Sequence, residues 1–267
     1  MMRRSVTSRL ELEVEQDAEL VLLVAVADAD LLTEESLVVT GEHGTVDVEE
    51  VLLPGCGRAH RFDALPGRYV VTYAARAEGT AAPAPVTAAD RLTYLRPSRY
   101  AEADRLSAIA LAEFGGIRDP RELVNAVSSW VGTRLTYVPG ASRPTDGAVE
   151  TLLHREGVCR DYAHLVTALL RACDVPARLV AVYAPGLSPM DFHAVAEVAI
   201  GDTWYAVDAT ALAPRSALLR ISTGRDAADT AFLSNYRGQL QLLDMQVSAV
   251  VEGDLPDDDL TELVALG

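Results

Sequence analysis

Hydrophobic and polar positions alternate along the first part of the chain. The segment "LELEVE", which starts at Leu10, alternates strictly, and "TVDVEEVLL" and "RYVVTYAARA" keep the same period of two. This period is typical of β-strands that bury one face. Turn-forming residues such as Gly41, Gly44 and Gly67 separate the runs. The pattern predicts an antiparallel sandwich or barrel of roughly five to seven strands, and we assign a sandwich-like β-domain to residues 1–90.

The pattern changes after residues 78–90, an Ala- and Pro-rich stretch that we interpret as a linker. Helical periodicity with capping signals follows, first over residues 98–116, and a further helical run begins at Cys159. The strand-like segments "ARLVAVYA", "FHAVAEVAI" and "TWYAVDAT" come next. Helices that precede strands indicate an α+β domain over residues 91–252. For the acidic tail, residues 253–267, we expect a loose helix.

The charge balance narrows the range of partners. The 267 residues include 23 basic and 39 acidic ones, which gives a net charge of −16. Nucleic acids and anionic membranes need concentrated basic residues, so neither is an expected partner. An eight-residue apolar run, Leu20 to Ala27, follows acidic positions, so we expect neither a signal peptide nor a membrane segment.

The three cysteines are Cys56, Cys159 and Cys173. The set is odd and sparse, and no CxxC or zinc-type spacing is present. A disulfide framework is therefore not expected, and we predict a cytoplasmic protein that needs no cofactor or metal. Cys56 and Cys173 are expected to be core residues.

Cys159 stands where a Gly-led turn gives way to a helix. A thiol at a helix N-terminus lies at the positive end of the helix dipole, which favours the thiolate. The free N–H groups there can also stabilise an oxyanion. Position alone leaves two interpretations open, because free cysteines are often buried and inert. A nucleophile needs a base, and that base needs an orienting acid.

Five histidines are candidates for the base. We expect His43 and His60 to be exposed turn residues and His154 to decorate a helix end. His164 follows the cysteine on the same helix at about 140° around the axis, so packing or backbone hydrogen bonding is its expected role. His193 opens a strand after a Pro- and Gly-rich loop, where a side chain can reach a cleft. His193 is therefore the predicted base.

The orienting acid follows from the register of a hairpin. A two-residue turn at Gly201-Asp202 places Val195 opposite Asp208. His193 and Asp208 are then diagonal neighbours on one sheet face. A three-residue loop would put them on opposite faces, and Asp208 would then be an ordinary residue at the end of a strand. Asp202 itself lies in the turn and is a poorer candidate, as is Asp191 in the preceding loop.

The segments "GVCRDYAHL", "FHAVAEV" and "WYAVDAT" together resemble the three motifs of the transglutaminase-like superfamily, in its bacterial cysteine-protease branch. "GRDAADTAFLSNYRG" is also similar to that branch, so the resemblance covers about residues 98–251. It implies a papain-like α+β core preceded by a β-domain. It also implies that Cys159 is the nucleophile, His193 the general base and acid, and Asp208 the orienting acid. The superfamily commonly adds an upstream oxyanion donor, for which Tyr137 is a candidate, with core packing as the alternative.

These residues predict acyl transfer through a thioester at Cys159, with a protein or peptide as the substrate. We favour hydrolysis of a peptide or isopeptide bond over cross-linking, because nothing in the sequence identifies an amine site. The alternative is a non-catalytic protein-binding module on the same fold. The sequence leaves the oligomeric state open.

Overall fold

The structure is a computed structural model that describes residues 2–266. Over those residues the strands are β1 (Arg3–Val14), β2 (Ala18–Leu22), β3 (Leu32–Gly41), β4 (Gly44–Thr45), β5 (Glu49–Leu53), β6 (Gly57–Ala64), β7 (Gly67–Glu78), β8 (Thr136–Tyr137), β9 (Glu156–Gly157), β10 (Ala177–Tyr183), β11 (Phe192–Ile200), β12 (Thr203–Val207), β13 (Leu219–Gly224), β14 (Leu233–Tyr236) and β15 (Leu240–Val251). The helices are α1 (Ala88–Thr93), α2 (Ala103–Phe114), α3 (Pro120–Arg134), α4 (Ala148–His154), α5 (Cys159–Ala172) and α6 (Ala227–Thr230). Short 3-10 turns cover Ala29–Leu31 and Arg215–Ala217.

The first seven strands build the predicted all-β region. β1, β3, β4, β7 and β15 form one antiparallel sheet in the order β15-β1-β7-β3-β4. Alternate residues of β1 are buried, among them Leu10 and Leu12, because one face of the strand lies on the core. That face contributes to a core that also includes Leu20 of β2 and Phe62 of β6.

A second sheet runs from the β-region into the α+β region. Its order is β12-β11-β10-β13-β6-β2-β14, with β5 paired to β6 at the side. β6 is hydrogen-bonded to β13 through the pair Gly57 and Ser222. The strands that carry the candidate site residues therefore belong to the same sheet as strands of the N-terminal region.

Helices α2, α3 and α4 surround α5, which lies against β10 and β11. Residues 161–171 of α5 are all buried, as expected for a helix that is covered on every side. Apolar side chains of α5, such as Leu165 and Leu169, pack with Val198 of β11 and Val207 of β12. Helices on one side of an antiparallel sheet confirm the predicted α+β fold with a preceding all-β region.

Several local features differ from the sequence-based expectations. α2 begins at Ala103 rather than at residue 98. The predicted linker ends in α1, which Thr87 caps by accepting a hydrogen bond from the Asp90 N–H. β15 pairs with β1, whereas the predicted domain boundaries assign residues 240–251 to the second domain. The sequence does not show which sheet an alternating strand will join.

The C-terminal segment, residues 252–266, contains no helix and runs along the α+β region. Asp258 accepts hydrogen bonds from the backbone and the guanidinium of Arg215, and Val264 forms an isolated bridge with Ala206 of β12. The expected loose helix is therefore wrong, because the segment is irregular and is held by contacts with β12 and the 3-10 turn.

Within residues 2–266, no helix has both the length and the apolar character that crossing a bilayer requires.

Candidate active site

Cys159 is the first residue of α5, at the end of a tightly closed turn. Val158 caps the helix in an extended conformation, and its N–H donates to the Asp161 carboxylate at 2.8 Å. A Cβ on Gly157 would come within 2.7 Å of an Asp161 Oδ2, so this turn requires glycine. The first N–H groups of a helix have no intrahelical partner and lie at the positive end of its dipole. The Gly-Val-Cys-Arg-Asp run thus sets the sulfur beside groups that can stabilise negative charge.

The β11–β12 hairpin has the predicted two-residue turn. Ile200 pairs with Thr203, and the register continues to the end of β12. Gly201 adopts a φ of +59°, which glycine tolerates without strain. The register therefore brings Asp208, just beyond β12, to the face of the sheet that carries His193.

His193 and Asp208 form a buried pair. The imidazole Nε2 lies 2.8 Å from an Asp208 Oδ2, and both side chains are almost completely shielded from solvent. The other carboxylate oxygen accepts from the N–H of Thr210 at 2.9 Å and from its hydroxyl at 2.6 Å. Burial alone would raise the pKa of Asp208, but the His193 charge and these hydrogen bonds lower it below its usual value. Asp208 is therefore held as a carboxylate.

Thr210 was not among the predicted site residues. The signal was present in the sequence, because Asp-Ala-Thr allows the aspartate to accept hydrogen bonds from the residue two positions later. Thr210 fixes the carboxylate oxygen that does not contact His193.

His193 also interacts with Cys159. Burial would lower the pKa of His193, but the charge and hydrogen bond of Asp208, together with the Cys159 thiol, raise it to about 10. Its second ring nitrogen, Nδ1, is buried and has no partner with full hydrogen-bond geometry. Since Nε2 contacts Asp208, Nδ1 is the nitrogen available to the thiol. The three predicted site residues are thus brought together in the order Cys159, His193, Asp208.

Tyr137 lies beside Cys159 rather than in the core. It belongs to β8, which pairs in parallel with β9 so that Tyr137 is opposite Gly157. Burial, followed by the charge of Cys159, raises the pKa of Tyr137 to about 12, so its hydroxyl keeps its proton. The ring packs against Tyr162 of α5, with centroids 6.1 Å apart.

The other histidines lie outside this cluster. His43 and His154 are exposed, as expected. His164 is fully buried and accepts the Ala227 N–H at 3.1 Å, which is the predicted backbone hydrogen bond. The expectation for His60 is wrong: it is a buried residue of β6, 3.4 Å from Glu50, because the strand extends through a position that looked like a turn.

Neither alternative acid is hydrogen-bonded to His193 among the described residues, although Asp191 lines the same cavity as His193. Asp191 is exposed and accepts the N–H of Phe192, and Asp202 is an exposed turn residue. Cys56 and Cys173 are unpaired and half-buried, and burial raises the pKa of both thiols.

A cavity of about 550 Å³ opens next to Cys159 and His193. Its walls come from both regions of the chain, since Leu23 after β2 and Met245 of β15 line it together with residues of β11 and α6. Cys159 is partly exposed in this wall, so a substrate atom can reach its sulfur. Sequence patterns gave no indication of the cavity, because its lining residues are brought together only by the pairing of distant strands.

Comparison with known proteins gives a consistent picture. The family model "Transglutaminase-like superfamily" matches residues 108–209, the part that contains the site. An uncharacterized protein of Mycobacterium leprae is 30% identical over 89 residues, which are 33% of this chain and 32% of that protein. One of Mycobacterium bovis is 40% identical over 62 residues, which are 23% of this chain and 20% of that protein. The matches thus span about a third or less of these relatives.

A crystal structure from Cytophaga hutchinsonii, described as a "Putative Cysteine Protease", is similar over almost the whole chain. The two proteins share 32% sequence identity with a TM-score of 0.89, and the match covers 96% of this chain and 93% of the other. The similarity therefore includes both the β-region and the α+β region.

Proposed function

This chain belongs to the transglutaminase-like superfamily, and from that premise we propose that it is a cysteine-dependent acyl-transfer enzyme that cleaves amide bonds through a thioester at Cys159. One observation carries the proposal: His193 lines the same cavity as Cys159 and is hydrogen-bonded to a buried Asp208. A thiol, an imidazole and a carboxylate in this order form the arrangement that activates a nucleophile.

In the proposed reaction Nδ1 of His193 holds the proton taken from Cys159, because the pKa of about 10 favours the imidazolium that Asp208 stabilises. The thiolate attacks the amide carbonyl, and the new carbon–sulfur bond gives a tetrahedral oxyanion. When that intermediate collapses, the carbon–nitrogen bond breaks and the imidazolium gives its proton to the leaving amine. The acyl group is then a thioester of Cys159. Asp208 accepts the N–H of Nε2 and stabilises the imidazolium throughout.

Two groups are positioned to stabilise the oxyanion. The first N–H groups of α5 lie at the end of the helix that carries Cys159, and donors of this kind are most effective where water is excluded. The Tyr137 hydroxyl, which keeps its proton and lies next to Cys159, is the proposed side-chain donor. Loss of one such donor typically costs a factor of about 10²–10³ in kcat.

We propose water as the acceptor of the acyl group and a protein or peptide as the substrate. The similarity to the Cytophaga hutchinsonii protein, whose description names a cysteine protease, supports hydrolysis over transfer to an amine. The proposal includes a cytoplasmic location, for which the sparse, unpaired cysteines are the supporting observation. We also propose that residues 1–90 form the β-domain and residues 91–252 the catalytic domain.

A non-catalytic binding module on the same fold is the competing function. Such a module has no need for a cysteine that is accessible from a cavity and in contact with a buried His–Asp pair. The partial exposure of Cys159 in the cavity wall therefore favours the enzyme.

The test is cleavage of a diverse peptide mixture, with products identified by mass spectrometry. The wild-type protein should cleave peptides, whereas Cys159→Ala should cleave none while its circular dichroism spectrum and melting temperature are retained. Cys173→Ala is the matched control and should keep the wild-type rate. Equal cleavage by wild type and Cys159→Ala would reject the proposal.

A further inference from the structure

The cavity beside Cys159 has the chemistry of a selective side-chain pocket. Its volume of about 550 Å³ lies within the range of small-molecule sites. Alanines contribute much of the lining, including Ala194 next to His193 and Ala227 of α6, and their small side chains leave the space open. This inference rests on the proposed function, because it concerns the substrate of the same site.

Most of the larger lining side chains are apolar, with Tyr100, Arg160 and His193 as the exceptions. The rings of Phe192 and Phe232 stack with centroids 5.1 Å apart and planes inclined by 22°. Leu23 closes one side, and Met245 supplies a flexible, polarizable surface on another. An aromatic or branched aliphatic group placed here would be removed from water on several sides at once.

The charged lining residues are Arg160, Asp191 and His193. The guanidinium of Arg160 already donates to Asp161 at 2.9 Å and to the carbonyl of Arg143 at 2.9 Å. Asp191 is exposed, and its carboxylate accepts the N–H of Phe192 at 2.7 Å. Arg160 is thus paired within the protein, and His193 is paired with Asp208. Apart from these residues and the exposed Asp191, the described lining is uncharged, so burial of a charged group against it would be unfavourable.

The position of the pocket sets which substrate residue enters it. Phe192 and Ala194 flank His193 on β11, and both line the cavity together with Cys159. Residues of an extended peptide are about 3.3 Å apart along the chain, so the side chain that enters belongs to a residue close to the attacked carbonyl. We propose that the enzyme selects peptides with a large apolar side chain, such as Phe, Leu or Met, within about two residues of the scissile amide.

Two measurements on the full chain test this inference. The first is cleavage of a library of internally quenched peptides in which each position around the cleaved bond is varied. The second is the alkylation rate of Cys159 by N-benzyl iodoacetamide relative to iodoacetamide, with glutathione as the reference thiol. The second measurement probes the pocket without any amide cleavage.

Met245→Glu places a carboxylate in the pocket, and Leu243→Glu is its control because Leu243 is an exposed residue of the same strand outside the cavity lining. In the wild type, an apolar residue at one position should raise kcat/KM at least tenfold over Asp or Lys. N-benzyl iodoacetamide should alkylate Cys159 at least tenfold faster than iodoacetamide, relative to the same ratio for glutathione. Met245→Glu should lose both preferences and accept Arg better, whereas Leu243→Glu should retain both. Ala228→Glu, at an exposed lining position, serves if Met245→Glu does not fold.

The outcomes separate this inference from the proposed function. Cleavage without an apolar preference, or a preference that survives the carboxylate in the pocket, overturns the inference and leaves the acyl-transfer proposal standing. A benzyl preference that the carboxylate abolishes, without cleavage of any peptide, supports the pocket and rejects amide cleavage. Absence of both cleavage and benzyl preference rejects both.

Discussion

Nε2 of His193 lies 2.8 Å from Oδ2 of Asp208, although the two residues are fifteen positions apart in the chain. The hairpin turn between β11 and β12 produces this distance, and Thr210 holds the second carboxylate oxygen. A carboxylate on Nε2 selects the tautomer that carries its proton there. Nδ1 is then the nitrogen that takes the Cys159 proton, which gives the imidazolium that the raised pKa of His193 favours.

Asp208→Asn should therefore lower kcat by about 10⁴-fold with little change in fold. The amide oxygen can still accept from Thr210, but the amide group favours the tautomer with the proton on Nδ1. The measurement is kcat on a cleaved peptide, together with the melting temperature. Asp202→Asn, at an exposed turn position, is the control and should leave kcat unchanged. A kcat in Asp208→Asn within threefold of wild type would remove Asp208 from the mechanism.

Cys159 should be the cysteine that iodoacetamide modifies fastest near neutral pH. It is partly exposed in the cavity that His193 also lines, whereas burial raises the pKa of Cys56 and Cys173 and makes their thiolates scarce. Peptide mapping after brief labelling measures the three rates in one sample. His193→Gln should slow labelling of Cys159 alone. Equal labelling of all three cysteines in the folded protein is the opposite result.

His164 should make the protein lose stability as the pH falls from about 6.5 to about 4. Burial lowers the pKa of His164 to about 4, so the folded state holds the neutral ring that accepts the Ala227 N–H. The neutral ring contributes fully to the free energy of unfolding above the unfolded-state pKa, and this contribution disappears as the pH falls through the folded-state pKa. The shift between the two pKa values corresponds to roughly 3 kcal/mol of that free energy.

Urea denaturation at a series of pH values measures this effect. His164→Gln keeps an acceptor for the Ala227 N–H but cannot titrate, so its free energy of unfolding should fall less steeply below pH 6.5. His154→Gln removes an exposed histidine and should follow the wild-type curve. If His164→Gln and the wild type give parallel curves, burial of the neutral ring does not control the acid sensitivity.

Asp258→Ala should destabilise the protein by about 3 kcal/mol. Asp258 is the bidentate partner of the buried Arg215, and its removal leaves that guanidinium without a counter-charge. Chemical denaturation gives the difference, and Asp257→Ala is the exposed control. The double variant Arg215→Met/Asp258→Ala should recover most of the loss, because no unpaired charge remains. A single variant as stable as the control would show that the ion pair does not hold the C-terminal segment.

Local chemistry made part of the site predictable. The Gly201-Asp202 turn sets the hairpin register, and alternation along β11 then decides which carboxylate shares a face with His193. The turn before Cys159 is also local, since Gly157 and Asp161 close it within one helical turn. Features of this kind depend on a few neighbouring residues and can be read from sequence.

Other features depend on contacts between distant parts of the chain. β15 was recognisable as a strand, but its pairing with β1 depends on which sheet edge is free. The cavity needs Leu23 and Met245 to meet across that assembly. His60 and the C-terminal segment were misjudged for the same reason, since neighbouring strands and the Arg215–Asp258 pair determine their environments.

The most direct test of the central claim is detection of the acyl-enzyme. The protein is mixed with an activated ester of an N-acyl peptide, quenched in acid within milliseconds to seconds, digested with trypsin and analysed by mass spectrometry. Cleavage after Arg155 and Arg160 releases Cys159 in the short peptide EGVCR. The account predicts that this peptide transiently carries the acyl group, that the adduct decays as the free acid appears, and that Cys159→Ala forms neither. Turnover that persists in Cys159→Ala, or an acyl group found on another residue, would contradict it.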